Sequence, residues 1–186
     1  VVLMDIIEEG VILRFPLNFK EQEPSPRTRK ECSVMAKPLA FHIIAGNLTR
    51  AAKVTFVPYM GGNINYCETS GNDDVMSGMF TGCIMSTYKV GDKRRVAHVH
   101  EGEPNDCKDV MKKLLDLNTE INSFKPYEDR RDGDFVFKNI GRDFMVFGVV
   151  TAANIPYSIF TKRDPNKKDY HVVKVVNQRS RPYKYI

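Results

Sequence analysis

Cysteine is scarce and poorly placed for cross-linking. Cys32, Cys67, Cys83 and Cys107 are the whole complement, separated by 35, 16 and 24 positions with no C-x-x-C pair. That spacing argues against a disulfide framework and against a thiolate zinc site, so an unusual cysteine has to be recognised from its surroundings. No apolar run approaches the roughly 18 residues of a membrane span. The N-terminus has none of the basic, apolar and cleavage regions of a signal peptide. The first residue is Val1 rather than Met, which suggests an excised domain or a processed product. Basic residues form no stripe with interleaved aromatics. They gather only at Arg27 to Lys30, Lys93 to Arg95 and Arg179 to Lys184, which disfavours nucleic acid as a partner. No internal repeat is visible.

What is present describes an ordinary folded domain. A length of 186 residues suits one domain with a well-buried core, 1–186, and is short for two. Hydrophobic residues at 42% and charged residues at 27% lie near the globular average, so neither disorder nor a membrane protein is indicated. The net charge of +5 favours acidic or phosphate-bearing surfaces only through non-specific attraction, and solvated surface charge accounts for most of it.

Val11 to Phe15 alternates and stops at Pro16, as a strand does. Residues 21–31 are polar and basic with Pro24 and Pro26, which predicts a flexible loop. Leu39 to Ile44 is an apolar run closed by Gly46, and Lys53 to Tyr59 has the strand alternation. Between Gly61 and Asn72 the composition turns to Gly, Asn, Ser and Thr, predicting an irregular loop of a dozen residues. After Pro104, with Asn105 or Asp106 as cap, Val110, Met111, Leu114, Leu115 and Leu117 recur at helical spacing and Ile121 continues that face. Its stripe packs on a sheet in this reading. The last third reads as strands at Asp134 to Lys138, Phe144 to Thr151, Tyr157 to Thr161 and Tyr170 to Val176. Strands grouped around one principal helix predict an α+β fold, a mostly antiparallel β-sandwich.

The plainest local signal is a hairpin. Cys83 to Val90 and Lys93 to His100 flank Gly91-Asp92, a dipeptide suited to a two-residue turn whose first position has positive φ. Val90 then faces Lys93, every pair sums to 183, and Cys83 falls opposite His100. Directly opposed residues share one face with Cα atoms roughly 4.5 to 5.5 Å apart, close enough for an imidazole to lower the thiol pKa and activate it as a nucleophile. His98 projects to the same face and takes the role of base if the turn shifts by one residue. Gly82 would let a carboxamide approach the backbone, making the Cys83 amide an oxyanion donor. Two other readings fit the same residues: plain packing of a buried Cys against a His, and a metal site formed by His98, His100 and Cys83.

Thr81-Gly82-Cys83, an apolar strand, a turn and then His98-Val99-His100-Glu101-Gly102 resemble the catalytic hairpin of the cytotoxic necrotizing factor deamidases. There a Ser-Gly-Cys opens the first strand and a Val-His-Thr-Gly closes the second. Matching Val99-His100-Glu101-Gly102 selects His100, whereas keeping the Cys-to-His interval selects His98; the motif match favours His100. The chemotaxis receptor deamidases are similar in their Gly-Ser-Cys and Ala-His-Val, the latter matching Ala97-His98-Val99. They carry a Thr six residues before the Cys, where Ser77 stands here, and Ser77 is read as a structural loop residue.

The resemblance implies a cofactor-free protein glutamine deamidase working through a thioester, which can pass to water in deamidation or to an amine in transglutamination. It further implies a secreted bacterial effector or toxin catalytic domain delivered into a host cytosol to modify a small GTPase or a translation factor. The alternatives are a non-catalytic basic binding domain and a metal-dependent hydrolase using the His-x-His strand. Cys67 and Cys107 read as structural thiols, His42 as a satisfied core or edge histidine, His171 as lacking a visible partner, and Asp73-Asp74 as solvated.

Overall fold

β-Branched and aromatic residues alternating with polar ones dominate the chain, and thirteen strands result among the described residues. The computed structural model describes residues 2–21, 31–32, 36–78, 80, 82–101, 107–117, 120–128, 143–164 and 169–183. In chain order they form α1 (Leu3–Ile6), β1 (Ile12–Arg14), β2 (Glu31–Cys32), β3 (Lys37–Ala45), β4 (Leu48–Pro58), β5 (Ile64–Thr69), β6 (Val75–Gly78), β7 (Ile84–Val90) and β8 (Lys93–Val99). There follow α2 (Lys108–Asp116), β9 (Ile121–Phe124), β10 (Phe144–Val150), β11 (Pro156–Arg163), β12 (Asp169–Asn177) and β13 (Arg181–Pro182).

Seven strands close into a barrel in the order β1-β12-β11-β10-β6-β4-β3, with β3 returning to β1. Within it only the β4–β6 pair is parallel. The other six form an open sheet in the order β13-β9-β7-β8-β5-β2. The mostly antiparallel, mostly β character therefore matches the sequence reading, but one of the two sheets is a closed barrel and the expected sandwich is corrected accordingly. Closure removes the edges that a seven-stranded open sheet would expose. The barrel interior is filled by rings: Phe15 stacks on Phe19 at 4.3 Å between centroids and meets Tyr170 edge-on at 5.2 Å, with Phe41, Phe56 and Phe147 around them.

The open sheet has two apolar faces, so its strands read as more continuously hydrophobic than one-sided strands would. One face, with Ile64, Ile84, Tyr88, Ala97 and Val99, packs under Met111 and Leu114 of α2. The other, with Cys67, Cys83, Met85 and Val96, lies on the barrel's Val57, Val75, Val146 and Phe160. Gly148 of β10 makes this close approach possible, because a Cβ there would stand 2.7 Å from the Met85 sulfur.

Other expectations change locally. The loop expected between Gly61 and Asn72 holds β5, whose Ile64, Asn65, Cys67 and Thr69 are buried because β8 pairs along it. Ile121 does not continue the helix; α2 stops at Asp116 and Ile121 opens β9 opposite Tyr88. Asp134 to Lys138, Asn105 and Asp106 lie outside the described residues, as do 22–30 of the expected loop, while Glu31 belongs to β2. No helix among the described residues is long and apolar enough to cross a membrane.

Candidate functional site

The β7–β8 hairpin turns on Gly91, whose φ of 65° is the left-handed conformation glycine adopts without strain. Its register runs from Val90↔Lys93 to Met85↔His98 and Ile84↔Val99, so each pair sums to 183 as the turn chemistry requires. Cys83 and His100 are the next residues on either side, one step beyond the last ladder pair. Side chains alternate along a strand, which puts Cys83, Met85, His98 and His100 on the barrel-facing side.

The two imidazoles then part company. His98 is 1% exposed, its ring stacked on Phe80 at 4.1 Å between centroids with a 9° tilt. Its Nδ1 lies 2.7 Å from Ser77 Oγ, and the same hydroxyl donates to the Val57 carbonyl. With that hydroxyl proton committed to Val57, Oγ accepts from an Nδ1–H, which leaves Nε2 as the lone-pair nitrogen. Nε2 is buried and has no hydrogen-bond partner among the described residues. His100 is half-buried, and its Nδ1 is 2.9 Å from the Tyr59 hydroxyl. Its backbone is tied on both sides, N–H to Asn63 O and carbonyl from Cys107 N–H.

Ser77 is thus no loop residue. It is fully buried on β6, paired with Gly148 of the neighbouring strand β10, and it reaches the open sheet from the barrel wall. Its position six residues before Cys83 was visible in sequence, but its contact with His98 joins two separate sheets and could not be read from spacing. Tyr59 and Tyr127, neither of them anticipated, also border the site by packing on the cluster that contains Cys83.

Burial governs the electrostatics. It pushes the Cys83 thiol up to about 11, against a lowering by the Glu101 backbone N–H and a further rise from the Glu101 carboxylate. The expected depression of this thiol by a facing imidazolium is therefore corrected. His98 is pushed down to about 3, first by burial and then by His100, so it is neutral at pH 7. A Cβ added at Gly82 would meet no described residue within 4 Å. Cys83 itself is 6% exposed.

The remaining candidates are not drawn into this site. Cys67 lies on β5, buried and pushed up to about 11 by burial, and Cys107 is wholly buried at the start of α2. His42 and His171 are exposed on β3 and β12 of the barrel, so His42 is not a core residue. Asp74 accepts a hydrogen bond from Ala152 N–H. Among the described residues no three of His, Cys, Asp and Glu are grouped closely enough to hold a metal ion. A groove of about 830 Å³ lies at the opposite, turn end of the hairpin, lined by Lys89, Gly91, Leu117 and Asn154 among others. Its lining includes neither Cys83 nor an imidazole, and the candidate site is identified by its reactive groups.

No protein-family model matches the sequence, and comparison with characterised proteins and with solved structures likewise gives no match.

Proposed function

We propose that the chain is a thiol-dependent amide hydrolase acting on protein glutamine side chains, with Cys83 as nucleophile, His98 as general base and Ser77 as the residue that positions His98. The observation that carries this reading is the Ser77–His98 contact: an imidazole with Nδ1 held at 2.7 Å and a buried Nε2 without a partner among the described residues, two residues from the position facing a cysteine. Orientation of a base through its second ring nitrogen is the recurring logic of nucleophile–base–orienter sites. His100 has a similar hydroxyl contact, its Nδ1 2.9 Å from the Tyr59 hydroxyl, and His98 takes precedence because burial and stacking on Phe80 fix its ring.

The resting pair is a neutral thiol and a neutral imidazole. In the reaction the S–H proton passes to Nε2 as sulfur bonds to the carboxamide carbon. The C–N bond then breaks, and the proton on His98 leaves with ammonia. Water, deprotonated by His98, hydrolyses the thioester to a glutamate. The backbone N–H of Glu101, which faces the sulfur, serves the developing oxyanion together with that of Cys83. Sulfur and Nε2 are not hydrogen-bonded at rest, and catalytic contacts of this kind tighten on substrate binding. The hairpin's likeness to the cytotoxic necrotizing factor and chemotaxis deamidases adds the target class: a regulatory protein such as a small GTPase or translation factor, modified by an effector or toxin domain in a host cytosol.

The experiment is intact-mass analysis of candidate targets after incubation, which should show a gain of about one mass unit per modified glutamine. Cys83→Ser and His98→Gln should abolish it, whereas His100→Phe should retain measurable activity. Full activity in Cys83→Ser would overturn the reading; full activity in His98→Gln with loss in His100→Phe would return the base to His100.

A further inference from the structure

The proposed reaction makes His98 a cation in a place that disfavours one. Nε2 receives the thiol proton while the side chain is 1% exposed, and an ion drawn out of water is costly unless the interior offsets it. In nucleophile–base–orienter sites with a carboxylate on the far ring nitrogen, that carboxylate stabilises the imidazolium. Here Nδ1 meets the Ser77 hydroxyl at 2.7 Å, which orients the ring but carries no charge. The group laid flat against the imidazole is Phe80, with 4.1 Å between centroids and 9° between planes. Its placement is built into the fold. Phe80 N–H donates to Val146 O of β10 at 3.0 Å, and the residue is 1% exposed. Gly148, two residues along β10 and the partner of Ser77, leaves room for the ring. A Cβ there would stand 3.1 Å from Phe80 Cε2 and 2.7 Å from the sulfur of Met85, the residue paired with His98. Tyr59 adds a second ring, its centroid 5.1 Å from that of the imidazole. The seven residues from Ser77 to Cys83 thus carry the orienter, the stacked ring and the nucleophile.

We infer that Phe80 stabilises the imidazolium form of His98 by presenting the negative face of its ring to it, so that a hydrocarbon side chain assists deprotonation of the thiol. A cation within about 6 Å of an aromatic centroid is attracted by the ring quadrupole, and the attraction grows where water is excluded. Both conditions are met by a buried stack at 4.1 Å. The neutral imidazole gains far less, so the contact strengthens as the proton arrives and lowers the barrier rather than the ground state alone. Phe80 acts through His98 and is in that sense a positioning residue. This inference rests on the reading of Cys83 and His98 as nucleophile and base, and adds to it the group that stabilises the charge formed on the base.

The test varies the electron density of the ring at nearly constant shape. Phenylalanines carrying one, two or three ring fluorines replace Phe80 in the full chain, with and without His98→Gln. The second-order rate of Cys83 with iodoacetamide is then measured at pH 7, with the label mapped by peptide mass spectrometry. In this alkylation sulfur bonds to the methylene carbon, iodide leaves, and the thiol proton passes to Nε2. The rate should fall stepwise with each fluorine, to about one tenth with three. Thermal unfolding should stay nearly constant, and the series should be flat in the His98→Gln background. Rates indifferent to fluorine, although His98→Gln slows them, overturn the inference and leave the base in place. An equal fall with and without His98 also overturns it, because the ring then acts only through packing. If the trifluorinated chain does not fold, the single fluorine decides, with an expected slowing of about twofold. Should Cys83 resist iodoacetamide in the folded chain, or His98→Gln leave its rate unchanged, the reading of nucleophile or base fails and the inference goes with it.

Discussion

His98 makes the stability of this protein depend on pH in a definite direction. Its pKa is depressed to about 3 in the fold, against about 6.5 in an unfolded chain. Between those values the unfolded state binds the extra proton, so the contribution of neutral His98 is complete above pH 6.5 and is lost progressively as pH falls toward 3. Urea unfolding at pH 7, 5.5 and 4.5 should show the loss, and His98→Gln should flatten it relative to the unmodified chain. A wild-type minus variant difference that does not change with pH would show that His98 is not held neutral. At this scale the sequence revealed the candidates but not their roles. Cys83, His98 and His100 stood out by spacing, whereas Ser77 read as a loop residue because its partners, Val57 and His98, come from different strands and different sheets.

Among the elements, the β7–β8 hairpin was the most legible because its instruction is local. Gly91-Asp92 specifies a two-residue turn, and a turn of that length leaves only one register. The seven observed pairs, Val90↔Lys93 to Ile84↔Val99, follow from it. Gly91→Ala should therefore destabilise by about 1 kcal/mol, since a side chain at φ 65° is strained, and thermal unfolding will measure it. By contrast β5 was hidden. Its Gly- and Asn-rich approach has turn composition, and Ile64–Thr69 becomes a strand because β8 offers a complementary edge along six pairs. Ile121 was misread for a related reason: one apolar residue fits both a helical period and the start of a strand, and pairing with Tyr88 decides between them.

The whole molecule depends on how the open sheet is fastened to the barrel, since Ser77 comes from one and His98 from the other. Arg94 of β8, 5% exposed, is the principal polar fastener. Its guanidinium donates to Thr69 Oγ1 at 2.9 Å and Thr151 O at 3.0 Å. It also donates to Asn154 Oδ1 at 2.5 Å and Asp73 O at 3.0 Å, joining β8 and β5 to the loops around β6 and β10. Arg94→Met removes these donors and leaves buried carbonyls unmatched, which should cost about 2–4 kcal/mol. Denaturant titration checks the loss, and Cys83 should become more reactive to iodoacetamide as the layers loosen. Unchanged stability would mean that Arg94 does not fasten the layers.

By itself the sequence determined the mostly β composition, the hairpin and its register, and the alignment of Cys83 with His100 and His98, because alternation and turn geometry act between near neighbours. The tertiary structure decided the closure of seven strands into a barrel, the burial that keeps the Cys83 thiol protonated and His98 neutral, and the arrival of Ser77 at Nδ1. Those features depend on residues far apart in the chain, and on excluding water from between two sheets, which no local pattern encodes.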